Sequence, residues 1–142
     1  MTVATPAAAE RQMIVSMDLT NGNAIAIDLD TIRVVNGLSR AWTTTALSSD
    51  GIPTFSATLL EFDCKGERSR ILSNNVFNMD GSSRFVLDPS PWAYPVPNTP
   101  TFKMMYYGCG GIKKTDDVIY TGSGQMFARH FFRFREESKA KK

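Results

Sequence analysis

The segment Ile32–Ala46, IRVVNGLSRAWTTTA, decides the fold. At its centre Asn36-Gly37 separates two runs rich in apolar and β-branched residues, and Asn-Gly in that setting is the strongest short hairpin signal because both positions tolerate positive φ. The threonines and Trp42 that follow favour a pleated surface. A second Asn-Gly lies upstream, where Thr20-Asn21-Gly22-Asn23 separates Met13–Met17 from Ala24–Ile27. Downstream, a loop over Ser48–Pro53 leads to Thr54–Phe62, in which Phe55, Ala57 and Leu59 alternate with polar residues before the run becomes continuous. That is the pattern of a strand half covered and half buried. A turn over Asp63–Glu67 leads to Arg68–Phe77, and Asp80-Gly81 leads to Arg84–Leu87. Turns at such regular spacing predict an antiparallel meander.

Proline then changes the chain's character. Pro89, Pro91, Pro95, Pro97 and Pro100 crowd around Trp92 and Tyr94, and a segment so short of amide donors crosses the surface as an extended arm rather than an inner strand. Asn98 or Thr99 before Pro100 marks a helix start, with Phe102, Met105 and Tyr106 on one apolar face and Gly108 as the stop. Beyond Cys109 the pattern weakens. Met126, Phe127, Phe131 and Phe134 suit a helix stripe, whereas Phe132-Arg133-Phe134 suits a strand; the helix is the preferred reading. The fold class expected is α+β, mainly antiparallel β-sheet with one short helix before Cys109 and a second, C-terminal one. The expected organisation is a flexible leader over 1–12, a domain over 13–111 and a C-terminal extension over 112–142.

The 142 residues fit one domain, and 42% hydrophobic against 21% charged residues is ordinary globular usage, which disfavours disorder, collagen and coiled coil. Sixteen Lys and Arg against fourteen Asp and Glu leave a formal charge of +2, far from the excess that phosphate-backbone binders carry, so no nucleic acid is implied. No apolar run is long enough to span a bilayer. Ala7-Ala8-Ala9 matches the small-residue end of a secretory signal and equally a plain leader. Cys64 and Cys109 are the two cysteines; the count admits one disulfide or two thiols, and their separation excludes a C-x-x-C pair. With His130 as the lone histidine there are too few soft ligands for zinc, so neither a metal nor another cofactor is expected.

One set of residues carries a resemblance. Glu61-Phe62-Asp63-Cys64, then Arg68, Arg70-Ile71-Leu72, Gly81, Trp92, Val96-Pro97 and Cys109 resemble the bacterial surface-adhesin protein E-like domain, and Ile27–Ile32 with Arg33 and Trp42 is similar to that family's opening. The likeness runs from Met13 to Cys109. It departs where Ile27 replaces an aromatic, and the residues after Cys109 go beyond the family domain. The resemblance implies a small exported α+β domain tied by a Cys64–Cys109 disulfide, at the periplasm or outer cell surface. It also implies a non-enzymatic role, because the namesake binds host matrix and serum proteins such as vitronectin, laminin and plasminogen. The expected partner is accordingly a protein ligand, from the host matrix or from the envelope; the alternative is an envelope-associated accessory protein.

Candidate chemistry is sparse. Cys109 and His130 could form a thiolate–imidazole pair, but a disulfide half explains Cys109 better. Thr121–Gln125 lacks the glycines of a nucleophile elbow and reads as a turn. Asp28 and Asp30, like Asp116 and Asp117, read as turn formers and surface charges, with Asp28 bonding the backbone of the Leu29–Ile32 turn. The tail offers more: Arg129, Arg133, Arg135 and Lys142 interleave with Phe127, Phe131, Phe132 and Phe134, a pattern suited to peripheral contact with an anionic membrane or to covering one sheet face. A terminal lysine such as Lys142 also suits the lysine-binding kringle modules of plasminogen. Trp92 and Tyr94 are candidates for a ligand-gripping rim or for pinning the arm. A free sheet edge offers a way to pair two copies.

Overall fold

The structure is a computed structural model that describes residues 10–20, 22–49, 51–80, 82–86 and 89–140. The Ala7–Ala9 motif, Gly81 and Lys142 therefore lie outside the described residues. Strands β1 (Arg11–Asp18), β2 (Asn23–Asp28), β3 (Arg33–Val35), β4 (Leu38–Ser49), β5 (Ile52–Asp63), β6 (Arg68–Asn78) and β7 (Ser83–Val86) precede helix α1 (Pro100–Gly108), strand β8 (Ile119–Thr121) and helix α2 (Gly124–Ala140). The fold is α+β: one antiparallel sheet in the order β7-β6-β5-β4-β2-β1-β8, with β3 beside one end of β4.

The turn chemistry explains the central hairpins. Asn36 and Gly37 take φ values of 52° and 78°, the doubly left-handed turn that matches the twist of flanking strands. The β4–β5 hairpin is tighter than the expected loop, because Pro53 and Ile52 already pair with Ser48 and Ser49. Pro53 is tolerated since it lies beyond the last β5–β6 pair, Thr54 with Asn78, and interrupts no second ladder. The proline arm runs along β6: Ser69 and Ala93 exchange amide bonds of 2.8 and 2.9 Å, and the Ser90 amide donates to the Ile71 carbonyl at 2.9 Å. The arm thus covers the first half of β6, while β7 pairs with the second half, Asn74–Phe77.

The two helices lie on opposite faces, as the alternation along β2 shows. Ile25 and Ile27 join the cluster under α1, whereas Ala24 and Ala26 join the cluster under α2. Helix α1 is capped by Thr99, whose hydroxyl accepts from the Phe102 amide at 3.3 Å, and has Pro100 in its first turn. It buries Met104, Met105 and Tyr107 on Met13, Ile27, Leu60 and Phe62. The stripe is rotated from the expected one, leaving Phe102 and Tyr106 half-buried, because Gly108 sits on the Phe62 ring and the Tyr107 hydroxyl donates to Asp117. Cys109 follows at the C-cap and is bonded to Cys64 just after β5, 45 residues away, with Cα atoms 5.9 Å apart.

Helix α2 buries Phe127, Ala128, Phe131 and Phe132 against Ala24, Ala26, Ala46 and Phe55. Alanines on the strands leave room for the phenylalanine rings, and this complementarity selects a helix over a strand here. Three expectations are corrected by these contacts. Residues 112–142 are not an appendage, since β8 completes the sheet beside β1 and α2 covers a sheet face. Arg11 and Gln12 belong to β1 rather than to a leader, and Gln12 is 1% exposed. Phe127, Phe131 and Phe132 are core residues, so they cannot enter a membrane interface from the folded chain; of the tail's aromatics so proposed, Phe134 alone is exposed.

Candidate functional site

The side chains of Arg40 on β4, Glu61 on β5 and Arg70 on β6 stand opposite one another in register, so they project from one face of the sheet. Glu61 is 1% exposed. Its Oε2 accepts from Arg40 Nε at 2.8 Å, and its Oε1 accepts from Arg70 Nε at 2.9 Å and Nη2 at 2.6 Å. Burial pushes the Glu61 carboxyl up, but the bonds from Arg40 and Arg70 outweigh it and hold the group below the usual carboxylate range. Arg68 pairs with Asp63 at 2.9 Å. The guanidinium carbons of Arg68 and Arg70 each lie 4.5 Å from the centroid of the Trp92 ring. Three guanidiniums are thereby fixed by two carboxylates and one indole, a ladder with a net single positive charge.

The same face carries a groove of about 440 Å³ beside the start of α2. Its walls include Trp42, Phe55, Ala57 and Phe77, with Phe55 and Phe77 stacked at 4.9 Å. Its polar end holds Gln12 and Asp28, paired across β1 and β2. Asp28 caps the turn Leu29–Thr31 by accepting from the Asp30 amide at 3.0 Å, as expected of it, and also accepts from Gln12 Nε2 at 3.2 Å. Burial pushes the Asp28 carboxyl above its ordinary value, more than these bonds pull it down. Gln12 Nε2 also donates to the Gly122 carbonyl, while its Oε1 is buried with no donor.

The structure separates the residues singled out from sequence. Trp92 is half-buried under two arginines, whereas Tyr94 is 72% exposed on the arm. Arg129 and Arg133 are exposed on α2. Arg135 is half-buried with its guanidinium against Gly22, so the α2 cations do not share a site with Trp92. Cys109 is bonded to Cys64, and His130 packs by Tyr120 at 5.4 Å between rings, so the thiolate–imidazole pair does not form. Among the described residues no cluster of His, Cys, Asp and Glu is arranged to hold a metal ion, and no helix is long and apolar enough to cross a membrane.

In the sequence Glu61, Arg68 and Arg70 stand out only as part of the family resemblance, and Arg40 and Gln12 do not stand out at all. The available signal was Glu61 itself, a carboxylate inside the apolar run Leu59-Leu60-Glu61-Phe62, where a charge needs a partner. No protein-family model matches the chain, and neither a curated protein nor a solved structure matches it significantly.

Proposed function

We propose that the chain is an exported, non-enzymatic, adhesin-like binding protein that recognises a protein ligand of the host matrix or the serum through the arginine–tryptophan ladder. The observation that carries this reading is the buried Glu61 carboxylate, which holds Arg40 and Arg70 in place, Arg70 over the Trp92 ring. Arginine and tryptophan dominate binding hot spots because each combines a rigid plane with apolar contact, and preorganised side chains lose little entropy on association. A ladder with net positive charge suits an acidic segment of the partner. The disulfide supports export: it lies at the surface, where a reducing cytosol would reach it. The likeness to the surface-adhesin family points the same way.

The test is binding of the purified chain to immobilised vitronectin, laminin and plasminogen. Binding by the native chain that is lost in Arg68→Ala and Trp92→Ala, and retained in Arg129→Glu/Arg133→Glu, supports the ladder. Loss in the helix variant alone moves the site to α2. No binding by the native chain favours the accessory role at the envelope.

A further inference from the structure

Asp28, Glu61 and Asp117 are the buried carboxylates among the described residues. Two of them hold cations: Glu61 takes Arg40 and Arg70, and Asp117 takes Lys103 at 2.5 Å. Asp28 takes none. Its donors are the Asp30 amide and the Gln12 side-chain amide, both uncharged. Arg11, whose charge is felt by Asp28, is committed to Asp30 through bonds of 3.0 and 2.8 Å, with the Arg11 amide adding a third at 2.8 Å. A carboxylate buried without an ion-pair partner of its own is costly, and this one sits at the end of a groove. Beside it the Oε1 of Gln12, itself buried, is an acceptor left without a donor. The groove's remaining walls, Trp42, Phe55 and Phe77, are aromatic faces of the kind that attract both apolar groups and cations.

We propose that this groove binds a small organic cation, a primary ammonium or guanidinium on a short apolar body, with Asp28 as its counter-charge, Gln12 as a second acceptor and the aromatic walls around its body. The volume of about 440 Å³ falls within the range of small-molecule sites. A metal ion is disfavoured: the groove's carboxylates are Asp28 and Glu10, and among the described residues no three His, Cys, Asp or Glu side chains are grouped to hold one. The required chemistry is donors without acceptors, which an ammonium or guanidinium supplies. The cation could be a free amine or the side chain of a lysine or arginine on another protein. This site is separate from the arginine ladder, and its occupancy does not depend on the ladder's role.

The experiment titrates the full chain with benzylamine, with its neutral analogue benzyl alcohol and with Nα-acetyl-lysine methylamide, following the Gln12 side-chain amide and the Trp42 indole by NMR. Saturable shifts with benzylamine, and affinity for benzyl alcohol weaker by about ten- to a hundredfold, are expected from the loss of a charged hydrogen bond. Asp28→Asn keeps an oxygen for the Asp30 amide, and should lose the preference for amine over alcohol. Should that variant not fold, Ala57→Trp carries the test, since its ring would fill the groove without touching the carboxylate and should abolish the shifts. Tighter binding of the lysine amide than of benzylamine assigns the cation to a partner's side chain, and the reverse assigns it to a free amine. Equal affinity for amine and alcohol, undiminished amine binding by folded Asp28→Asn or Ala57→Trp, or no saturable shift with either cation overturns the proposal.

Discussion

Replacing both Cys64 and Cys109 by serine removes the one covalent tie without leaving an odd thiol. The two residues stand 45 apart in the chain, and for a loop of that length the chain-entropy relation gives about 4 kcal/mol of stabilisation, through restriction of the unfolded chain. Both cysteines are exposed, so little buried surface is lost with the sulfurs. Helix α1 keeps Met104, Met105 and Tyr107 in the core, and Thr99 still caps its start, so the variant should fold to the same structure with lower stability. For a chain of this size each kcal/mol moves the melting midpoint by about 3–4 °C, which places the expected fall at roughly 10–15 °C. Thermal and urea unfolding followed by circular dichroism, on the oxidised protein and the double-serine variant, measures it. Midpoints within about 3 °C of each other would refute the reasoning: the sheet and two helices would then suffice alone, and the case for an oxidising compartment would lose its physical basis.

Glu61→Gln should cost about 2–3 kcal/mol, below most of the range of about 3–5 kcal/mol for broken buried ion pairs, because its two arginines are each about one-third exposed. Since the folded carboxyl lies below its unfolded value of roughly 4.3, its contribution is complete above that pH and is lost as pH falls through the folded value. The gap between native chain and variant in urea midpoint should therefore narrow below about pH 4, and a gap independent of pH would contradict the ion-pair account. Phe131→Ala should cost about 3–5 kcal/mol, against about 0.5 kcal/mol or less for the exposed Phe134→Ala; similar losses would show that α2 is not docked as described. Gly108→Ala would place a Cβ 2.5 Å from the Phe62 ring and should cost about 1–3 kcal/mol by overpacking, readable as a lowered denaturation midpoint.

What was legible in the chain was local. Asn36-Gly37 marks its turn through backbone preference alone, and Thr99-Pro100 marks a helix start through the missing amide of proline and the cap of threonine. Docking faces were not legible, because they depend on pairings between distant segments. Nothing in Ile119–Thr121 announces that it closes the sheet beside β1, and a three-residue strand is too short for periodicity to register. Gln12 failed for another reason. It follows Glu10 and Arg11, and a polar side chain buried by contacts made 110 residues away reads from sequence as solvated leader. Arg40, Glu61 and Arg70 lie on three strands, and only the β4–β5 and β5–β6 registers bring them opposite one another.

Why this sheet face has room for either site follows from where α2 begins. Gly124 sits against the Thr44 hydroxyl, where any Cβ would collide, so the helix can start in direct contact with the middle of β4. From there it runs toward the β1–β2 turn, where Arg135 reaches Gly22, and its phenylalanines cover Ala24, Ala26 and Ala46 along the way. The strip in the other direction, Trp42 and Arg40 on β4 with Ala57 and Glu61 on β5, receives no helix. Trp42 and Leu59, paired across β4 and β5, give this strip apolar surface between its polar groups. At one end Glu61 is neutralised by two arginines, and beside Trp42 the groove holds Asp28 of the neighbouring β2, which has no ion-pair partner of its own. The first arrangement displays positive charge and the second leaves negative charge to be met, so the two sites proposed on this face would prefer partners of opposite charge.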